Sequence, residues 1–167
     1  LTATLALGGL FGFGLASRVL GRGADPYRMS AYGTLLGVPA FLAVIAAAPL
    51  NSPLLFGLGA FLIGLGGGVF SHGTLTATMN LAPPGQRGLA LGAWGAVQAP
   101  AAGVAVALGG IIRDSVGAMA AGDVSAAAQL GPAAGYNVVY WIEIWLLVAT
   151  LVALAPLLRR ARRPVSS

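Results

Sequence analysis

Of the 167 residues, 57 % belong to the hydrophobic class and only 8 % are charged, where a soluble domain carries about 25 % charge to face water; with a mean hydropathy of +0.87, the composition excludes a water-soluble globule and indicates a membrane protein. Nine basic against four acidic residues give a net charge of +5, but the arginines lie in loops and the tail, which marks membrane topology and not a nucleic-acid surface. Cysteine is absent, which removes disulfides, thiolate metal sites and cysteine nucleophiles.

Five segments reach the roughly 20 apolar residues that a spanning helix needs: 1–19, 31–50, 54–79, 89–112 and 137–158. The first begins at Leu1, already inside an apolar run with no signal-peptide pattern before it. The expectation is a piece of a longer protein whose upstream half is missing. "GRGADPYRMS" joins the first two segments, "NSP" the second and third, and "NLAPPGQRG" the third and fourth. An Ala-rich loop over 113–136 precedes the last segment, with room for a short interfacial helix near 115–130. The tail, 159–167, opens with "RRARR", a cluster that attracts anionic lipid headgroups.

Arginine placement orients this serpentine. Arg18, Arg22, Arg28, Arg87, Arg159, Arg160, Arg162 and Arg163 fall on one side and Arg113 alone on the other. The positive-inside rule makes the side of the eight cytoplasmic, the C-terminus included, and the 113–136 loop non-cytoplasmic. Glycines recur at four-residue spacing inside the helices: Gly8 and Gly12, Gly33 and Gly37, Gly64 and Gly68, Gly88 and Gly92. The fourth segment continues its stripe through Gly95 and Gly103. Such stripes let backbones approach closely in lipid, so Gly88, Gly92, Gly95 and Gly103 are expected to pack helices.

Residues 14–22, "GLASRVLGR", resemble a degenerate loop signature of the major facilitator superfamily, with Ser17 in the acidic place and one residue of extra spacing. Four helices and a cytoplasmic tail follow, so the chain resembles helices 8–12 of a twelve-helix facilitator. Residues 81–114, with "RGLALGAWGAVQA" as the most specific part, and 135–158 resemble the PucC/LhaA bacteriochlorophyll-delivery family of purple phototrophic bacteria. The resemblance implies an all-α polytopic protein of the intracytoplasmic photosynthetic membrane. It also implies a role in assembling light-harvesting antenna complexes, with bacteriochlorophyll, another tetrapyrrole or a carotenoid as cargo. The implied partners are antenna polypeptides and the reaction-centre/light-harvesting complex, together with membrane lipids and no nucleic acid.

Few residues can carry chemistry. His72, the one histidine, lies mid-way along the third segment. A neutral imidazole there is satisfied by a carbonyl or serine, relays a proton, or ligates a metal. With the resemblance, the fitting metal is the magnesium of a chlorin, which takes one axial nitrogen. Gly66–Gly68 and Gly73 would then leave room for the flat macrocycle. Trp94 and Gln98 are four apart and share a face; they either assist a pigment or bridge helices. Pro100 follows, and a break in mid-membrane points to binding sites in transporter folds. Glu143 is expensive in a span unless interfacial, protonated or paired, with Arg113 within reach if the last two segments pack. Either Glu143 and Trp141 touch pigment or a proton path, or Trp141, Tyr140 and Trp145 are an interfacial aromatic belt.

The four acids, Asp25, Asp114, Asp123 and Glu143, are scattered and no nucleophile sits beside a base. A non-enzyme is expected. Three readings follow: an antenna assembly factor that docks antenna helices through small-residue faces, a proton-coupled small-solute transporter, or a fixed subunit of a photosynthetic supercomplex.

Overall fold

The computed structural model describes residues 2–122 and 133–160. All regular structure in them is helical: α1 (Thr2–Leu20), α2 (Pro26–Ala47), α3 (Pro53–Leu81), α4 (Arg87–Gly122) and α5 (Ala134–Arg160). All five have the length and apolar composition to cross a membrane, so the protein is an all-α polytopic membrane protein.

Two boundaries differ from the sequence expectation. α2 starts at Pro26, ahead of its apolar run, because Asp25 and Pro26 form a helix start. The Asp25 carboxylate accepts from the Arg28 backbone N–H at 2.8 Å, and proline at the first position sacrifices an N–H that has no partner anyway. Ser52 and Pro53 repeat the device at α3, where Ser52 accepts from the Leu55 N–H at 3.2 Å. The second difference is that α4 does not stop at 112 but runs to Gly122. Arg113 and Asp114, which read as a loop, bond to each other through Nη2 and Oδ1 at 2.6 Å, so neither charge stands alone on the helix. Residues 115–122 therefore belong to α4, and 123–130 of the expected interfacial helix lie outside the described residues. So does the tail beyond Arg160.

α3 is the hub. α1 and α2 both lie along it and scarcely touch each other, α5 rests on α2 and α4, and α4 meets α3 only lightly. The α3 contacts are made backbone to backbone. A Cβ at Gly8 or Gly12 would overlap the carbonyl of Phe61 or Leu65, and one at Gly64 that of Leu5. On the α2 side a Cβ at Gly33 would meet the Phe70 amide nitrogen at 2.6 Å. Two buried hydroxyls on α2 are satisfied within the helix: Ser30 donates to the Pro26 carbonyl (2.9 Å) and Thr34 to that of Ser30 (3.0 Å).

α4 stands apart. Its stripe of Gly88, Gly92, Gly95 and Gly103 has no neighbour within 4 Å of where a Cβ would be. At 100° per residue the stripe faces roughly half a turn away from Trp94 and Leu108, which look towards α3 and α5. These glycines pack nothing among the described residues.

Candidate functional site

α3 carries His72 and meets α1, α2 and α4 on different faces. One face, through Phe61, Gly64 and Gly68, receives α1, and His72 continues it. The imidazole lies edge-on to the Phe13 ring of α1, with centroids 4.3 Å apart and planes at 71°. Its Nδ1 is buried and has no hydrogen-bond partner. A buried polar nitrogen left unpaired costs about 1–3 kcal/mol, so this atom requires an explanation that packing alone does not supply. The His72 carbonyl, in contrast, accepts from Thr76 Oγ1 at 2.8 Å.

The glycines next to His72 do not leave the space expected of them. Gly66 is filled by the backbone of Gly33, Gly68 by that of Gly9 and Phe13, and Gly73 by Ser30 and Pro26; only Gly67 is open. Their smallness admits neighbouring helices, and a flat ring does not fit in the same slots. Phe13, 42 % exposed, is the group that covers the imidazole.

Thr74 lies two residues on, about 200° round the helix, and faces α4. Trp94 Nε1 donates to Thr74 Oγ1 at 3.2 Å, while Thr74 donates back to the Phe70 carbonyl at 3.1 Å. Trp94, half-buried, thus stands on the opposite side of α3 from His72, and Gln98, also half-buried, lies one turn further along the same face of α4. The structure brings Trp94 to Thr74 and His72 to Phe13, and does not gather the three into one cluster. Neither Phe13 nor Thr74 was singled out in the sequence. Phe13 comes from another helix with no linear signal, whereas the hydroxyl run Ser71, Thr74, Thr76, Thr78 was visible as an unusually polar stretch of a spanning segment.

Glu143 faces a groove of about 490 Å³ between α4 and α5, lined also by Pro100, Val104 and Leu108. Arg113 does not reach it. The guanidinium is held by Asp114 and by the Tyr136 hydroxyl (3.2 Å), and stacks 5.3 Å over the Tyr136 ring. Trp141, two residues before Glu143, points to the other side of α5 and is 49 % exposed, with Trp145 70 % exposed. Tyr140 turns inward, against Phe41 and Tyr136. Among the described residues no three His, Cys, Asp or Glu side chains converge on a point.

Fold and site together define a polytopic helical membrane protein with a single unpaired imidazole at its central helix. The chain belongs to the PUCC protein family, whose profile matches residues 1–162. It is 54 % identical over 161 residues to Protein PucC of Cereibacter sphaeroides, covering 96 % of this chain and 34 % of that protein. It is 50 % identical over 165 residues to Protein PucC of Rhodobacter capsulatus, covering 98 % of this chain and 34 % of that one. A third relative, 48 % identical over 163 residues (95 % of this chain, 33 % of the relative), is an uncharacterized protein of the puhA–bchM intergenic region of Rhodobacter capsulatus. The chain thus spans about a third of the length of these relatives. No solved structure matches it.

Proposed function

We propose that the chain is part of a non-enzymatic assembly factor for light-harvesting antenna complexes, which binds bacteriochlorophyll and delivers it to antenna polypeptides in the intracytoplasmic membrane of a phototrophic bacterium. Membership of the PUCC family, with relatives in phototrophs, supports the setting. The observation that carries the binding claim is the buried, unpartnered Nδ1 of His72. The His72 imidazole would hold such a pigment by giving its nitrogen lone pair to the chlorin magnesium. Phe13 must turn aside for the ring to reach it, and its half-exposed position on α1 permits that. Trp94 and Gln98 would meet cargo on the α4 side of α3, and Glu143 in the α4–α5 groove. The arginine bias supports a cytoplasmic C-terminus, and the helix order supports correspondence to helices 8–12 of a major facilitator fold.

The test is a near-infrared absorption spectrum of the full-length protein, gently extracted from its native membrane. A bacteriochlorophyll band migrating with wild type and lost in His72→Ala is expected. A colourless wild type overturns the reading, and a coloured His72→Ala overturns the ligand.

One observation favours a second reading, a proton-coupled transporter: a carboxyl, Glu143, inside a spanning helix and facing the α4–α5 groove. The break expected at Pro100 adds nothing to it, since α4 runs unbroken through that residue. Solute uptake by proteoliposomes that is driven by a pH gradient and lost in Glu143→Gln would establish it.

A further inference from the structure

Because α1 and α2 both lean on α3 and not on each other, a cleft opens between them. Its volume is about 610 Å³, within the range of roughly 300–1,000 Å³ usual for ligand sites. Leu15 and Val19 of α1 form one wall, Leu36 of α2 the other, and Leu65 and Val69 of α3 the floor.

The cleft is graded in polarity along its length. Arg28 and Asp25 stand at its α1–α2 end, and Tyr32, 64 % exposed, follows on the same face of α2. Leu36 comes next, each step about 6 Å along the helix axis. Arg18 and Arg22 lie at the close of α1 and in the turn that leads to this end, where Ala24, Asp25 and Arg28 line the cleft itself. That turn is pinned by the Gly21, Arg22, Gly23 and Ala24 amides, all bonded back to carbonyls of Ser17, Val19 or Leu20. Gly23 there has φ +88°, a conformation open to glycine. The one carboxylate at hand, Asp25, is spent as a helix cap on the Arg28 N–H. Among the described residues no ion pair involves Arg18, Arg22 or Arg28. Cations in excess of the one carboxylate, then a phenol, then pure hydrocarbon reproduce the order of groups in an anionic phospholipid: phosphate, ester zone, acyl chain.

We infer that the α1–α2 cleft binds an anionic phospholipid, with its phosphate at Arg22 and Arg28 and one acyl chain laid over Leu65 and Val69. This holds whether or not the protein carries pigment. The occupant is set by charge complementarity, since each arginine near the membrane surface adds about 1 kcal/mol of attraction to anionic lipid. The apolar floor adds what a headgroup alone lacks, a seat for the chain.

The test uses full-length protein in nanodiscs of phosphatidylcholine, doped with either phosphatidylglycerol or phosphatidylcholine carrying a photoactivatable group on the acyl chain. The expected result is labelling by the phosphatidylglycerol probe concentrated on peptides holding Leu15, Val19, Leu65 and Val69. Arg22→Gln with Arg28→Gln weakens that binding about thirtyfold, and Arg22→Lys with Arg28→Lys retains most of it. Should the glutamine pair not accumulate, displacement in wild type decides: excess unlabelled phosphatidylglycerol removes the label and phosphatidylcholine does not. Equal labelling by the two probes, or labelling spread evenly round the helices, overturns the inference. So does capture of an upstream segment of the same polypeptide by a photo-crosslinker placed at Tyr32, since protein then fills the cleft.

Discussion

At the scale of single residues, the sign of a stability change separates structural groups from functional ones. His72 holds a buried nitrogen without a partner, so its polarity weakens the fold by about 1–3 kcal/mol. His72→Phe, of similar shape and already facing an aromatic ring, is expected to raise the melting temperature of the full-length protein or leave it unchanged while abolishing pigment retention. A fall in melting temperature would mean that the imidazole is bonded in the complete protein. Glycines divide in the same way. A Cβ at Gly64 collides with the Leu5 backbone, whereas one at Gly57 meets nothing within 4 Å. Gly64→Ala should therefore cost about 1–3 kcal/mol, and Gly57→Ala should gain up to about 1 kcal/mol from helix propensity. Thermal unfolding in detergent checks both. The sequence made Gly8, Gly12, Gly64 and Gly68 recognisable as packing residues by their spacing. It also made Gly66, Gly68 and Gly73 look like room for a ligand, because spacing along one helix cannot say which neighbour will occupy the gap.

At the scale of helices, the light contact between α3 and α4 rests heavily on one hydrogen bond, Trp94 Nε1 to Thr74 Oγ1. Interhelical hydrogen bonds in membranes average about 0.6 kcal/mol, with a ceiling near 1.7. A double-mutant cycle of Trp94→Phe and Thr74→Val should return a coupling in that range, measured by unfolding of the full-length protein. Zero coupling would mean that Trp94 turns elsewhere in the complete protein. The existence of five helices was legible because long apolar runs have no other fate in this composition. Their ends were less so. The α2 start was written in the Asp25-Pro26 pair, a cap and a first-turn proline, but the apolar run begins later and dominated the reading. The α4 end was hidden because Arg113 and Asp114 look like loop residues until their mutual bond and the Tyr136 ring are seen together. His72 was legible as an anomaly; its neighbour Phe13, supplied by α1, was not.

At the scale of the whole molecule, α4 is the helix least engaged with the others among the described residues. No described residue of α4 is buried, and its small-residue stripe faces away from α3 and α5 with nothing on it. Isolated in lipid, such a stripe gains nothing, since glycines lower helix propensity and small side chains matter only where another backbone comes close. The chain spans about a third of the length of its relatives, which leaves ample polypeptide to cover the stripe, and a helix from that remainder is the expected occupant. Gly95→Leu and Gly103→Leu in the full-length protein would then each force two helices apart and cost about 1–3 kcal/mol, read as a lower melting temperature and reduced accumulation in the membrane. An antenna helix docking on the same stripe gives a different pattern, with the protein keeping its stability while antenna complexes fail to form. Loss of stability in the purified protein, free of antenna, assigns α4 to the internal packing of the complete polypeptide; unchanged stability hands that face to a partner.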